Sequence, residues 1–290
     1  MDKFLQLTIT GLTTGMVYAL IALGFVIIYK SSDVINFAQG ELMVVGAYLL
    51  YAFIVQFGLP ASLAMAATLG VAVLLGVTIE RLVLRPMIGE PIISLIMVTI
   101  GLSSVLKGMV NAIWGPVPRP FPEFIPRANV AIGPAVVPAD RLIAIAIALF
   151  FLVLFTLFFR FTREGIAMRA IADDQQAALS MGISVKRVFA VAWAIAAVSA
   201  AVAGAIVANI IGVGGEIAGL GLRVFPVVIL GGLDSVPGAV IGGLIIGLLE
   251  AYTGGYIGEG LNLIIPFIVL LLVLMVRPYG LFGKVIIERV

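Results

Sequence analysis

Cysteine and histidine are both absent from the 290-residue chain. Without them there is no disulfide and no thiolate nucleophile, and most zinc sites and imidazole acid–base chemistry are excluded. Charge is scarce as well. Asp, Glu, Lys and Arg make up 11% of the residues, against about a quarter in soluble domains. The formal net charge is only +2, and a phosphate footprint needs clustered Lys and Arg on an accessible face, so no nucleic-acid partner is implied. Also missing is the phosphate-cradling loop G-x-x-x-x-G-K-[ST]. The nearest stretch, "GLFGKV" at 280–285, fails on spacing and on the final hydroxyl. The carboxylates are scattered, so no catalytic residue and no metal ligand is assigned.

What is present is apolar: 62% of the side chains are hydrophobic, and the mean hydropathy is +1.25. The apolar runs are roughly twenty residues long, enough to cross about 30 Å of hydrocarbon as helices that satisfy their own backbone bonds. Runs such as "LIAIAIALFFLVLFTLFF" lack the apolar–polar alternation of a transmembrane barrel. The first run is too long, and too poor in small residues at its end, for a removable signal peptide, so it reads as the first span.

Hydropathy predicts spans at Phe4–Tyr29, Phe37–Phe57, Ala61–Leu82, Ile92–Trp114, Arg141–Phe161, Val188–Val213, Ala239–Tyr252 and Leu263–Val276. The expected fold is all-α: one transmembrane domain over 1–290, a polytopic membrane helical bundle of about eight helices. A broken or re-entrant piece is expected near 222–237, where "LRVFPVVILGGLDSVPG" is apolar but interrupted by Pro226, Gly231, Gly232 and Pro237. Two connections are long. Residues 115–140 are rich in Pro and Gly and read as an ordered external loop. Residues 162–187 hold the densest charge, and the basic excess from Arg160 to Arg187 puts them on the cytosolic side. Alternation then places Lys30, Arg81 and Arg85 inside. Eight crossings, however, would leave the basic tail with Arg277, Lys284 and Arg289 outside.

Within the cytosolic connection, Arg163 to Gly182 reads as one amphipathic helix. Ile166, Ala170, Ala177 and Met181 form its apolar stripe, Arg169, Asp173 and Gln176 lie on another side, and Gly182 is its left-handed stop. Such a helix lies on lipid or docks a protein partner. Asp173 and Asp174 weigh against lipid, because interfacial helices prefer a basic polar face.

The polar cluster "NFAQGE" opens the second span and has two readings. In one, Asn36 is an N-cap and Gln39 completes a capping box, with Glu41 at the helix's positive end. In the other, the short first loop dips into the membrane and Asn36, Gln39 and Glu41 line or gate a translocation path, as acidic groups within spans usually face a cavity. Glu250, inside "IGGLIIGLLEAY", is expected either as a paired or cavity-facing carboxylate that lines or gates the same path, or, near the span's end, as one that reaches interfacial water. Lys107 is expected to snorkel toward Trp114, within reach of Asn111. The pairs Gly11/Gly15, Gly238/Gly242 and Gly243/Gly247 put small residues on one helix face, implying close helix packing and a helix-rich interface with another membrane subunit.

Three stretches, "GLTTGMVYALIALGFVIIYKSSDVINFAQGELMVVGAY", "REGIAMRAIADDQQAALSMGISVKR" and "FPVVILGGLDSVPGAVIGGLIIGLLE", resemble the permease subunits of branched-chain amino acid ABC importers, specifically the first of their two permeases. The resemblance covers nearly the whole chain. It implies a bacterial cytoplasmic (inner) membrane location and a partnership with a second, related permease, two cytoplasmic ATPases and an extracytoplasmic binding protein. ATP and Mg would sit on the ATPases, with no cofactor in this chain. The ATPase-coupling helix would use Arg163, Arg169, Asp173, Asp174, Ala177 and Gly182. The family commonly has His where this chain has Gln39; a hydrogen-bonding role survives that difference, and one needing an ionisable imidazole does not. The competing reading is a stand-alone ion- or proton-coupled carrier with Glu41 and Glu250 as coupling groups.

Overall fold

A computed structural model describes residues 2–122, 128–132, 135–258 and 260–283. Each apolar run becomes a helix, because a helix satisfies its own backbone groups where no water can do so. In chain order these are α1 (Asp2–Ser32), α2 (Gln39–Tyr51), α3 (Ala61–Ile79), α4 (Ile92–Trp114), α5 (Ala139–Phe161), α6 (Arg163–Asp173), α7 (Gln175–Ser180), α8 (Val185–Ile211), α9 (Ile217–Arg223), α10 (Phe225–Gly231), α11 (Val236–Tyr256) and α12 (Leu261–Val276). Among the described residues, seven helices are long and apolar enough to cross a membrane; the α9–α10 pair and α12 are shorter. The Pro-rich loop adds a small antiparallel hairpin, β1 (Asn129–Ile132) and β2 (Ala135–Pro138). Part of that loop, with Lys284 and Arg289, lies outside the described residues.

Two helix ends are wound more widely than an α-helix. α2 continues as a π turn over Ala52–Gln56, and α3 continues as a π turn over Glu80–Leu84. The second brings residues five apart into line. Arg85 donates from Nε and Nη2 to the two carboxylate oxygens of Glu80, at 3.0 and 2.6 Å, and the Glu80 side chain is fully buried. A bidentate guanidinium is the partner a buried carboxylate needs.

The bundle is built around α1 and α8. Their apolar windows are 83% and 78% buried, whereas that of α4 is 17% buried and lies at the edge. α1 packs along α11 through glycines. A Cβ on Gly247 would sit 2.4 Å from the Gly15 nitrogen, and one on Gly243 would sit 2.6 Å from the Gly15 oxygen. Gly11 meets Leu248, and Gly238 and Gly242 meet the backbone of α10 at Gly231 and Val227. The predicted small-residue faces are therefore consumed inside the chain. The inter-subunit interface expected from them is corrected, since backbones in contact with one another leave no room for a second protein.

The broken segment runs from one end of the bundle to the other. Val213, just before α9, exchanges backbone hydrogen bonds with Arg119, whose guanidinium donates to the Trp114 carbonyl at the end of α4. Asp234, just after α10, accepts from Lys30 at the opposite end of α1. Counting this traverse makes the number of end-to-end passes odd. Leu281 and Phe282 donate to the carbonyls of Leu230 and Gly231, so residues 277–283 lie at the Lys30 end, together with α6 and α7. Eight crossings would leave the tail outside and an odd number would place it inside; residues 277–283 share the end where Lys30 lies.

Candidate functional site

Asp33 takes a positive φ of 54° and ends α1, after which Val34 to Ala38 run back alongside it before α2 begins at Gln39. Asn36 and Gln39 are fully buried. Asn36 Oδ1 accepts from the Ala38 amide at 3.0 Å, its Nδ2 donates to Gln39 Oε1 at 3.1 Å, and Gln39 Nε2 donates to the Ala196 carbonyl in the middle of α8 at 3.2 Å. Gln39 also packs so closely on Gly24 that a Cβ there would lie 2.1 Å from its Nε2. Gly24 precedes the end of α1 by eight residues, which at about 1.5 Å each sets α2's start roughly 12 Å inside the bundle end.

This geometry corrects the capping-box reading. The N-cap of α2 is Ala38, without a side-chain bond, and Gln39 reaches across to α8 instead of back to Asn36's amide. The physical reason is burial: at this depth the Gln39 amide has no water, and the Ala196 carbonyl, which also accepts from the Ser199 hydroxyl at 2.9 Å, is an acceptor within its reach. The first loop does dip inward, as the second reading required.

Glu41, in the first turn of α2, lines a cavity of about 330 Å³ between α2, α4 and α9. Its walls include Phe37, Ile100, Ser103, Lys107 and Leu222. Lys107 is thus a site residue that the sequence reading placed elsewhere, at the interface beside Trp114. Its spacing held a clue: Lys107 and Trp114 are seven apart on α4, as Glu41 and Tyr48 are on α2. Tyr48 and Trp114 stack at 5.1 Å, one level nearer the Trp114 end. Two helical turns join each charged residue to its aromatic neighbour on the same helix face.

Glu250 resolves toward the paired reading. Its Oε2 accepts from the Tyr18 hydroxyl at 2.8 Å, and Arg223, the last residue of α9, interacts electrostatically with both. Glu250 is not among the residues around the Glu41 cavity.

The charged connection is two helices rather than one. Asp174 is extended, with φ −159° and ψ 107°, and its carboxylate accepts from the Ala177 amide at 2.9 Å, capping α7. An aspartate placed three residues before an orphan amide favours a new helix start over continuation. The predicted stripe of Ile166, Ala170, Ala177 and Met181 is therefore broken. Met168, Ile171 and Ala178 face the bundle, while Ile166, Ala177, Leu179 and Met181 are exposed. Arg169 is corrected as well: its guanidinium turns back to the carbonyls of Phe159 and Arg160 at the end of α5, where a cation satisfies orphan acceptors. Arg163, Asp173 and Asp174 are exposed, and Gly182 has φ +82°. Glu164 joins α6 to the start of α8 through a 2.5 Å ion pair with Arg187.

A deep polar start to α2 and a charged cavity beside it, within a bundle of helices long and apolar enough to cross a membrane, fit the class of membrane transport subunits. Residues 7–274 match the family model described as branched-chain amino acid transport system / permease component, and the chain belongs to that family. It is 33% identical over 302 aligned residues to the high-affinity branched-chain amino acid transport system permease protein LivH of Salmonella typhimurium, covering 99% of this chain and 98% of that one. It is 32% identical, at the same coverage, to BraD of Pseudomonas aeruginosa, a high-affinity branched-chain amino acid transport system permease protein. A probable branched-chain amino acid transport permease, LivH of Methanocaldococcus jannaschii, is 27% identical over 91% of this chain and 88% of its own.

Proposed function

We propose that the chain is one permease of an ABC importer in the bacterial inner membrane, moving branched-chain or similar amino acids. It pairs with a second, related permease, takes ligand from an extracytoplasmic binding protein, and is driven by two cytosolic ATPases that hold the ATP and Mg. Asn36, Gln39 and Glu41 line the path. The observation that carries the reading is the two-faced platform of α6 and α7. One apolar face seats on the bundle and the other, with Ile166, Leu179 and Met181, stands exposed beside the acidic Asp173 and Asp174.

Acidic residues beside an exposed apolar patch suit a protein groove better than anionic lipid headgroups. Closure of the ATPases would pull on this platform. The Glu164–Arg187 ion pair and the Arg169 contacts would pass the movement to α8 and α5. Glu250, already bonded to Tyr18, is poorly placed to act as the coupling group of a stand-alone carrier.

The test is a double substitution, Ile166→Asp with Met181→Asp, in the reconstituted transporter. The two permeases are expected to purify together while the ATPases no longer follow, and ATP-driven uptake is expected to fall at least tenfold. Uptake by this chain alone, indifferent to ATP, would overturn the reading.

A further inference from the structure

We propose that Glu41 and Lys107 are the two poles of a subsite for the zwitterionic head of an α-amino acid, the ammonium group at Glu41 and the carboxylate at Lys107. This deepens, and rests on, the importer reading above. The two side chains come from different helices, α2 and α4, and line one cavity. Among the described residues neither makes a hydrogen bond or an ion pair with another side chain, although both border the same cavity. Glu41 is only 8% exposed.

A carboxylate this enclosed and without a donor lacks compensation that a ligand's ammonium would supply. The ammonium of Lys107 offers the matching donor set for a carboxylate. Phe37, Ile100 and Leu222 give the remaining wall an apolar character suited to an aliphatic side chain. A cavity of about 330 Å³ lies at the lower end of the roughly 300–1,000 Å³ of small-molecule sites, in keeping with a single amino acid. The site is also asymmetric. A ligand with only one charge would leave the opposite pole unpaired, which disfavours simple amines and simple carboxylic acids. The Tyr48–Trp114 stack lies one level further along the same two helix faces.

The experiment uses the complete transporter in proteoliposomes, with the binding protein saturated by leucine, and three variants: Glu41→Gln, Lys107→Gln, and the exchange Glu41→Lys with Lys107→Glu. Each single variant is expected to lower the uptake rate at least tenfold, with the amount of assembled complex unchanged and its thermal midpoint no lower. The exchange is expected to recover at least a third of wild-type uptake, since it keeps one pole of each sign. A merely structural charge pair would lower the midpoint instead. A smaller fall in either single variant, a fall matched by loss of assembled complex, or an exchange variant no better than the singles overturns the proposal. Should the wild-type complex move no aliphatic amino acid at all, the importer reading falls first and takes the subsite with it.

Discussion

Asp33 shows how a single residue can carry both a backbone and an electrostatic demand. Its φ of 54° is a conformation that Asn and Asp tolerate better than other non-glycine residues, and it turns the chain back toward the bundle interior. Partial desolvation raises its carboxyl above the ordinary aspartate value, although the residue is exposed and solvent screening keeps the effect on stability small. The folded chain therefore holds this proton more tightly than the unfolded one. The resulting penalty is absent below the unfolded pKa, grows as pH rises toward the folded value, and persists in full above it. Asp33→Asn keeps the turn and removes the penalty. Its melting temperature in detergent should exceed wild type at neutral pH, and the difference should vanish in acid. Asp33→Val, with a branched Cβ at positive φ, should be about 1–3 kcal/mol less stable than Asp33→Asn at every pH.

Between elements, the glycines of α1 and α11 decide how closely the helices approach. Gly247 faces the backbone of α1, with Gly15 N and Gly11 O at 2.4 and 2.5 Å from where its Cβ would be. Backbone in the middle of a helix does not move aside as a side-chain tip does. Gly247→Val is therefore expected to destabilise by about 1–3 kcal/mol or more, through overpacking. Gly70 on α3 has nothing within 4 Å of its Cβ position. Gly70→Ala should melt no lower than wild type, and by about 0.4–1 kcal/mol higher if unfolded-chain entropy dominates. Thermal unfolding of the two purified variants, followed side by side, separates close approach from helix propensity. A Gly247→Val protein as stable as Gly70→Ala would sink the account.

At the scale of the whole molecule, the broken α9–α10 traverse sets which end the tail occupies. The natural absence of cysteine makes this directly readable, because any introduced thiol is the only one in the chain. Met181→Cys and Tyr279→Cys should react with an impermeant maleimide from the same side of a sealed membrane. Phe57→Cys, which follows the far end of α2, should react from the other. All three native side chains are exposed. Labelling of Tyr279→Cys together with Phe57→Cys would mean that α9 and α10 turn back instead of passing through.

The sequence by itself determined the class of fold. Long apolar runs leave a helix as the one economical way to satisfy the backbone in lipid, so most spans were legible to within a few residues, and the interruptions at Pro226, Gly231 and Gly232 marked the broken piece. It also marked Asn36, Gln39 and Glu41 as unusual, since polar groups opening an apolar run stand out. It did not show which helix each would meet. The Gln39 bond to Ala196, 157 positions away, the gathering of Glu41 and Lys107 around one cavity, the Tyr18–Glu250 bond and the recruitment of Arg169 to the end of α5 were decided only by tertiary structure. In the first three, the partner is set by how helices far apart in the chain lie side by side, and in the last by the turn between α5 and α6; periodicity along one helix carries no record of either.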